Sequence, residues 1–423
     1  EIPMNSDNFR YFNVAINQMT GYSSEEFLLA NDGWPYFLSL FFSITPSNNF
    51  MDYMALQKFL TIGISVLTII PIYFLAKQFV SKQYAILSAA IFIFEPRIAQ
   101  NSLFGITEPL YIMALTISLA LIFYKKYYPQ YISFAILSFA ILIRSEGLFL
   151  LPIFFVIVIL RSRKNKKIFF HLFIILIIIT SILLPVSIIR SEYLGNDGMT
   201  ARISSGIDHI SKTSDGNQNQ IFSIVINGII NMLKFLAWSQ IPYLIFLVPI
   251  GLILFIKKGN KYEKSLILIA ISALIPTIYP YSFASDVRWI FPLYPIFCIM
   301  SVYSMRYFLQ KTTKPKCITI VIFSLIIISS IFYLDWKDID QSRELELYNL
   351  ALEISSKTSM VNVYYPESSY LNVVGLTKVE KFPIPVNEYV EKNIEQYWYN
   401  ENDSIIDVIQ HGKEVGLTHL IID

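Results

Sequence analysis

Charged residues are scarce in this sequence. Asp, Glu, Lys and Arg make up 15% of the 423 residues, whereas hydrophobic residues make up 54%. Soluble domains carry roughly 25% charged residues. The apolar residues form blocks, several of which approach the ~20 residues that a helix needs to cross a bilayer. This composition argues against a soluble globular protein and indicates a polytopic α-helical membrane protein.

Metal-binding and nucleotide-binding motifs are also missing. The chain has two cysteines and four histidines in no zinc-type spacing, and neither a P-loop nor a GxGxxG motif. Cys298 and Cys317 lie in or beside apolar blocks, where cysteine acts as a small hydrophobic residue. The net charge is +2. No nucleic-acid partner, metal or cofactor is predicted, although a divalent cation on Glu95 or Glu108 stays open.

The apolar blocks are arranged as membrane spans whose connecting loops alternate in charge. Five loops hold 16 Lys and Arg with one acidic residue, Glu263, whereas the other segments of the membrane part hold 9 Lys and Arg with 14 Asp and Glu. By the positive-inside rule, the first five loops are cytoplasmic. We therefore predict ten spans, at about 56–76, 83–95, 108–123, 128–143, 147–160, 168–189, 233–256, 265–281, 288–308 and 317–334.

Both ends of the chain fall outside the membrane in this arrangement, because the number of spans is even. The chain begins in a polar, acidic stretch without Met. We expect that a first helix is missing, and including it would give eleven spans. The protein is thus predicted to be a multi-pass protein of the cell membrane. Its functional site and its C-terminal domain are predicted to lie on the extracytoplasmic side. The abundance of Ile and Lys favours a prokaryotic source.

Residues 1–55 are predicted to form a first outer loop with two juxtamembrane helices, at 8–20 and 36–44. The first of these helices has an apolar face, which is typical of a helix lying on a membrane. That face consists of Phe9, Phe12, Ile16 and Met19.

Residues 56–334 are predicted to form the transmembrane helical domain, interrupted by a polar outer loop at 190–231. Residues 335–423 are richer in charge and are predicted to form a small extracytoplasmic α/β domain. Its expected elements are strands at 361–365 and 419–423 and a helix at 404–414.

Ionisable residues are costly inside a bilayer, so their positions in such a chain are informative. Almost none lies in the middle of a predicted span; they gather at the outer ends instead. A mixed ring of acids and arginines at one face suits a substrate at the water–lipid boundary, although short outer loops also need charged ends simply to lie in water. The candidate site residues are Asp7, Asp32, Trp34, Glu95, Arg97, Glu108, Arg144, Glu146 and Arg288.

Several short motifs occur in order at this face. They are Asn5-Ser6-Asp7-Asn8, Gly33-Trp34-Pro35, Glu95-Pro96-Arg97, Thr107-Glu108-Pro109, Arg144-Ser145-Glu146-Gly147 followed by Pro152, and Arg288 followed by Pro292 and Pro295. With these motifs, residues 1–334 resemble the C-type (GT-C) glycosyltransferases, and most of all the dolichyl-phosphate-mannose protein mannosyltransferases and the lipid A aminoarabinose transferases. In one departure, the mannosyltransferases carry paired acids in the first loop, where this chain has Asp7 between Ser6 and Asn8.

The resemblance implies a mannosyltransferase-like enzyme that moves a sugar from a polyprenyl (dolichyl) phosphate to an acceptor hydroxyl at the outer face, with inversion. It implies a large outer cavity, a donor lying in a groove between helices, and Asp7 as the base toward a protein, lipid or glycan acceptor. The attacking hydroxyl must lose a proton, and arginine's guanidinium fork best meets the departing phosphate. Arg97, Arg144 and Arg288 are the candidates for that contact.

Two other classes of protein stay open. A membrane transporter or lipid flippase for cell-envelope glycolipids predicts ionisable residues near the middle of the membrane and broken helices in matched halves, and neither is evident in the sequence. A non-catalytic structural protein of the cell surface predicts that Asp7 is free to vary. Within the enzyme hypothesis, Asp32, Glu95 and Glu108 are alternative bases.

Overall fold

A computed structural model describes residues 3–4, 6–21, 32–124, 126–162, 167–194, 197, 200, 218–284, 286–337, 341–357, 361–364, 370–377, 382–384, 394–397, 405–414 and 419–420. Half of the predicted outer loop at 190–231 and much of the predicted domain at 335–423 lie outside these residues.

Helices account for most of the described chain. The first outer loop contains α1 (Ser6–Thr20) and α2 (Gly33–Ile44). The helices that follow are α3 (Phe50–Leu67), α4 (Ile69–Ala76), α5 (Lys82–Ile93), α6 (Pro96–Ser102), α7 (Glu108–Ile122), α8 (Tyr127–Ile143), α9 (Leu151–Ser162), α10 (Ile168–Leu194), α11 (Gln218–Ser239), α12 (Leu244–Lys258), α13 (Lys261–Leu274), α14 (Tyr294–Leu309) and α15 (Pro315–Trp336). Short 3-10 helices cover Ser145–Leu150, Ile275–Thr277, Pro280–Ser282 and Val287–Leu293.

Five helical segments of the described chain are long and apolar enough to cross a membrane, by length and composition. They are Phe50–Ala76, Ile168–Glu192, Ile221–Ser239, Val287–Leu309 and Pro315–Trp336. Four shorter apolar helices lie at Gly33–Ile44, Lys82–Ile93, Glu108–Ile122 and Tyr127–Ile143. The protein is therefore mostly helical with several candidate spans, whereas the number ten stays a prediction.

The described residues that flank the Lys/Arg-rich loops predicted as cytoplasmic lie together at one end of the helix bundle, which we name the basic end. There the hydroxyl of Tyr303 donates to the carbonyl of Phe79 at 3.1 Å. The guanidinium of Arg161 lies 4.3 Å from the ring centroid of Tyr262 and 5.9 Å from that of Phe123. Because α7 runs from Glu108 to Ile122, Glu108 lies at the other end.

The apolar face of α1 packs on protein. Phe9, Phe12 and Ile16 are all buried. The ring of Phe12 lies 6.0 Å from that of Phe42 in α2 and 6.2 Å from that of Phe382. The prediction that this face rests on the membrane is therefore wrong. An amphipathic pattern shows that one face leaves water, but it does not distinguish lipid from another helix as the partner.

The predicted span at 233–256 is also incorrect as a single helix. The structure divides it between α11, which begins at Gln218, and α12, which begins at Leu244. Pro242 lies in the break, where its ring removes a backbone N–H and disfavours helical geometry at the preceding residue. The predicted polar loop at 190–231 is likewise shortened, because α10 continues to Leu194 and α11 enters it at Gln218.

Beyond α15, the described residues form three more helices and three strands. These are α16 (Gln341–Lys357), β1 (Val361–Tyr364), α17 (Tyr370–Thr377), β2 (Ile394–Tyr397), α18 (Ile405–Glu414) and β3 (His419–Leu420). The strands form a parallel sheet in the order β2-β1-β3, with Val361 opposite Ile394 and Val363 opposite His419. An independent extracytoplasmic α/β domain at 335–423 stays a prediction.

Phe382 connects this C-terminal region to the helices. Its side chain is buried, and its ring lies 5.6 Å from that of Tyr53 and 6.3 Å from that of Phe50, both in α3. Together with Phe12 of α1, these aromatic rings form one apolar contact between the first outer loop, α3 and the C-terminal region. The contact lies next to the first turn of α1, which carries Asp7.

Candidate functional site

Arg288 joins two acidic side chains that are far apart in sequence. Its Nη2 donates to Oδ2 of Asp7 at 3.2 Å, and its Nε donates to Oδ2 of Asp286 at 2.7 Å. Asp286 also accepts the backbone N–H of Arg288 at 2.8 Å, which caps the 3-10 helix that begins at Val287. The cap fixes the start of that helix, so the guanidinium is held toward the first turn of α1.

Arg144 forms a second and more deeply buried network. Its Nη1 lies 2.6 Å from Oε1 of Glu108, and its Nη2 lies 3.1 Å from Oε1 of Glu146. Arg144 follows α8 with an extended backbone, φ −148° and ψ 117°, which turns the chain out of the helix and into the 3-10 helix that begins at Ser145. The side chains of Arg144 and Glu108 are only 10% and 4% exposed.

The phenol of Tyr11 is influenced electrostatically by both networks. Burial raises the pKa of the Tyr11 phenol, the Glu108 carboxylate raises it further, and the Arg144 guanidinium opposes both. Asp7 also contributes to the rise. The phenol therefore stays neutral at ordinary pH and can donate a hydrogen bond. We name Asp7, Glu108, Arg144, Glu146, Asp286 and Arg288 the charged cluster.

The first turn of α1 is held in place by a bond to α3 and a short loop. The side-chain amide of Gln57 donates to the carbonyl of Asn8 at 3.1 Å and to the carbonyl of Gly105 at 2.6 Å. Gly105 has φ +72°, in the left-handed region that favours glycine. Its carbonyl also accepts the indole N–H of Trp34 at 3.1 Å. Asp7 therefore sits on a helix end fixed by packed neighbours.

Trp34 and Asp32 lie at the start of α2, where the observed contacts are structural. Trp34 is fully buried. Asp32 pairs with Arg190 of α10, and burial raises the pKa of the Asp32 carboxyl while the Arg190 guanidinium opposes that rise. A Cβ added at Gly33 would lie 2.7 Å from the backbone nitrogen of Ile143, so α2 approaches the end of α8 very closely. Their predicted role in substrate binding stays a prediction.

Glu95 and Arg97 lie in a separate place, around the start of α6. The Arg97 guanidinium donates to the carbonyls of Ser239 at 3.3 Å and Trp238 at 2.7 Å, and to the hydroxyl of Tyr333. These bonds join α6 to the end of α11 and to α15. Glu95 is fully buried beside Arg97. Both carboxylate oxygens of Glu95 are without a hydrogen-bond partner among the described residues.

The structure thus brings together five of the nine predicted residues, namely Asp7, Glu108, Arg144, Glu146 and Arg288. Asp286, Tyr11 and Arg190 were absent from the predicted site. Asp286 was visible as an acid two positions before Arg288, a spacing that permits a local cap. No signal in one sequence marks Tyr11 or Arg190, because both gain their partners from other helices.

Divalent-cation binding is not favoured by the charged cluster. The carboxylates of Asp7 and Asp286 bond to Arg288, and those of Glu108 and Glu146 bond to Arg144. Within the described part of the chain, no group of three or more His, Cys, Asp or Glu side chains is arranged to hold a metal ion. The carboxylates of the charged cluster therefore suit arginine partners, and we derive no step through a metal; a divalent cation on Glu95 or Glu108 stays a prediction.

Arg144→Ala is expected to lower the free energy of unfolding by about 3–5 kcal/mol, because Glu108 would stay buried without its cation. Thermal unfolding of the purified protein in detergent measures the loss. The double variant Arg144→Met, Glu108→Leu removes both charges and should recover much of it. A single variant that unfolds at the wild-type temperature would show that the pair does not stabilise the fold.

Three solved structures of glycosyltransferases have a fold similar to that of this chain. The oligosaccharyltransferase of Archaeoglobus fulgidus, in complex with Zn and sulfate, has a TM-score of 0.60 at 12% identity over 93% of this chain and 58% of that one. The oligosaccharyltransferase AglB from the same organism, in complex with an inhibitory peptide and a dolichol-phosphate, has a TM-score of 0.56 at 10% identity, over 86% of this chain and 59% of that one. ArnT from Cupriavidus metallidurans, bound to undecaprenyl phosphate, has a TM-score of 0.51 at 11% identity over 99% and 86%.

These comparisons confirm the predicted GT-C fold, because the archaeal oligosaccharyltransferase and ArnT are both GT-C membrane glycosyltransferases. The chain spans about three fifths of the length of the archaeal enzyme. No protein-family profile matches the sequence, and no curated protein matches it. At such low identity the likeness establishes the fold, whereas the activity has to be argued from the residues.

Proposed function

We propose that this protein is a membrane glycosyltransferase that moves a sugar from a polyprenyl-phosphate donor to an acceptor hydroxyl, with inversion, at the extracytoplasmic face. The observation that carries the proposal is the pairing of Asp7 with Arg288. It puts a carboxylate and a guanidinium side by side at one end of the bundle. The fold of lipid-dependent glycosyltransferases supports the same reaction class.

Asp7 is the base because it alone among the predicted acids is well exposed. Its side chain is 47% exposed, whereas Glu108 is 4% exposed and Glu95 is fully buried. An acceptor hydroxyl arriving from water reaches Asp7 without opening the structure. A base must come within hydrogen-bond distance of the proton it removes, and the hydrogen bond from Arg288 holds the Asp7 carboxylate in position.

Arg288 is the residue that meets the leaving phosphate. A guanidinium has five N–H donors, and the described residues engage two of them, one with Asp7 and one with Asp286. The others stay available on a side chain that is 32% exposed. As the acceptor oxygen bonds to the anomeric carbon, the bond to the phosphate oxygen breaks and its electron pair leaves with the phosphate. The hydroxyl proton passes to Asp7.

Arg144 supports the site from a more buried position than Arg288. Its two carboxylate partners leave it less available to a ligand than Arg288, and it is almost fully buried. Its positive charge is balanced by Glu108 and Glu146, so this network holds the end of α8 next to the start of α7 and leaves the contact with the phosphate to Arg288. Arg97 already donates to two backbone carbonyls and to the hydroxyl of Tyr333. Of the three arginines, it is therefore the least suited to contact the donor.

A panel of polyprenyl-phosphate sugars tests the proposed reaction class. Membranes containing the protein are incubated with each donor, and free polyprenyl phosphate is measured by mass spectrometry. The proposal expects at least one donor to lose its sugar in a protein-dependent way. A flippase would move the donor between leaflets without breaking the sugar–phosphate bond, so intact donor on the opposite side would contradict the proposal.

The orientation is tested with single cysteines in a Cys317→Ser background. Asn48 is exposed next to the start of α3, and Thr313 is exposed between α14 and α15 at the basic end. In intact cells, an impermeant thiol reagent should label Asn48→Cys and leave Thr313→Cys unlabelled until the membrane is opened, because the basic end is predicted to be cytoplasmic. The reverse labelling pattern would place the charged cluster inside the cell.

A further inference from the structure

Helix α11 contacts one end of the bundle from Ile224 to Ser239. Its 22 residues extend over ~33 Å, about the thickness of a bilayer core. Near its start, the carbonyl of Ile224 accepts the hydroxyl of Ser282 at 2.9 Å, and in its middle Asn231 donates to the carbonyl of Tyr281 at 3.0 Å. The Tyr281 hydroxyl in turn donates to the carbonyl of Asp286, so this contact belongs to the charged cluster's end.

The last turn of α11 contacts the same end. The carbonyl of Ser239 accepts the hydroxyl of Tyr294 at 2.6 Å and the Nε of Arg97 at 3.3 Å. Arg97 lies in α6, and the carbonyl of Ser102 at the end of α6 accepts the hydroxyl of Thr61 in α3. Thr61 is one helical turn from Gln57, which bonds to α1, so α6 also lies at the charged cluster's end. Because both ends of α11 contact the same end of the bundle, α11 runs across that end and does not pass from one end of the bundle to the other.

The neighbouring helices agree with this path. Helix α10 reaches the charged cluster's end near its C-terminus, where Arg190 pairs with Asp32. Helix α12 starts from that end, where Tyr243 donates to the carbonyl of Ile91 at the close of α5. It runs to the basic end, where Phe255 packs on Tyr303 with ring centroids 4.5 Å apart. If α11 crossed the membrane, α12 would instead begin at the basic end.

The surface of α11 is divided into three stripes. Gly228 and Met232 face the protein, and a Cβ at Gly228 would lie 2.3 Å from the carbonyl oxygen of Ile278. An apolar stripe is exposed to the surroundings, and it consists of Phe222, Val225, Ile226, Ile229, Ile230 and Leu233. A polar stripe is exposed on the other flank, and it consists of Ser223, Asn227 and Lys234.

We propose that α11 lies in the lipid–water boundary, with its apolar stripe in the acyl chains of the leaflet next to the charged cluster. The polar stripe then faces water and headgroups, and the third side rests on the protein. Such a division into apolar and polar flanks suits an interfacial helix, whereas a spanning helix has no use for a polar stripe along its length. The inference holds whether or not the protein transfers sugars.

Depth-dependent fluorescence quenching in nanodiscs tests this placement. Single cysteines on the apolar stripe are labelled with a small fluorophore, in a Cys298→Ala, Cys317→Ser background, and are quenched by lipids carrying a nitroxide near the headgroup or near the chain end. The labelled positions are Phe222, Ile226, Ile229 and Leu233. We expect the shallow nitroxide to quench more than the deep one at every position.

Helix α15 supplies the matched control in the same molecule. It runs from Lys314 at the basic end to Tyr333, which contacts Arg97. Its exposed positions for labelling are Ile320, Leu325, Ile328 and Phe332. They should pass from shallow to deep to shallow quenching along the sequence. The same progression along α11 would show that α11 crosses the membrane, and no quenching by either lipid would show that protein covers the stripe; both results overturn the proposal.

Discussion

Asp7→Asn is expected to lower the rate of sugar transfer by about 10²–10⁴-fold, the contribution of a positioned general base. Asparagine keeps the shape of the side chain and serves a helix start as well as aspartate does. The lost ion pair with Arg288 joins two partly exposed groups, 47% and 32% exposed. Pairs of this kind contribute roughly 0–1 kcal/mol, so folding and donor binding should survive. Turnover at saturating donor is the measurement.

The matched control is Asp52→Asn. Asp52 also lies in the first turn of a helix, α3, and its carboxylate accepts the hydroxyl of Ser47 at 2.5 Å. The substitution removes an equivalent charge away from the charged cluster and should leave turnover unchanged. A folded Asp7→Asn protein with near-normal turnover would show that Asp7 only supports the start of α1. The base would then have to be found among Asp32, Glu95 and Glu108.

Arg288→Ala is expected to reduce donor use by at least tenfold. A hydrogen bond from a charged group to a ligand phosphate contributes about 1.5–3 kcal/mol, and each ~1.4 kcal/mol is a factor of ten. Lys should restore only part of the loss, because an ammonium group lacks the planar fork that meets two oxygens at once. The ratio kcat/KM for the donor, compared across Arg, Lys and Ala, measures the effect.

Arg10 provides the control for a general effect of positive charge. It is exposed on α1 near Asp7, so Arg10→Ala removes one positive charge from the same end of the bundle. Activity should be retained in that variant. Equal losses in Arg10→Ala and Arg288→Ala would indicate a diffuse electrostatic effect. Full activity in a folded Arg288→Ala protein would mean that the bonds to Asp7 and Asp286 are structural only.

The sequence predicted most of the helices and the end of the bundle at which the charged cluster lies. Hydrophobic periodicity marked most helices, and the alternation of loop charge grouped the Lys/Arg-rich loops. The described residues that flank these loops meet at one end of the bundle. Both signals are local, since each depends on residues within one helix or loop. The structure follows them closely for α5, α7 and α8, whose bounds lie within a few residues of the predicted spans.

Partners across long sequence separations were beyond such reasoning. Asp7 and Arg288 are 281 residues apart, and only the folded arrangement of the helices brings their side chains together. Arg97 illustrates the same limit, because its bonds to α11 and α15 make it a link between helices. The path of α11 was missed because composition alone does not distinguish an interfacial helix from a span of the same length.

The most direct test of the account follows both products of the reaction with purified protein in liposomes. A polyprenyl-phosphate sugar that serves as donor, labelled in both the sugar and the phosphate, is supplied with an acceptor. Free polyprenyl phosphate and sugar-bearing acceptor should then appear in equal amounts with the wild-type protein, and neither should form at a comparable rate with Asp7→Asn. If the wild-type protein released no polyprenyl phosphate from any donor, or if Asp7→Asn matched its rate, the proposed function of this site would be contradicted.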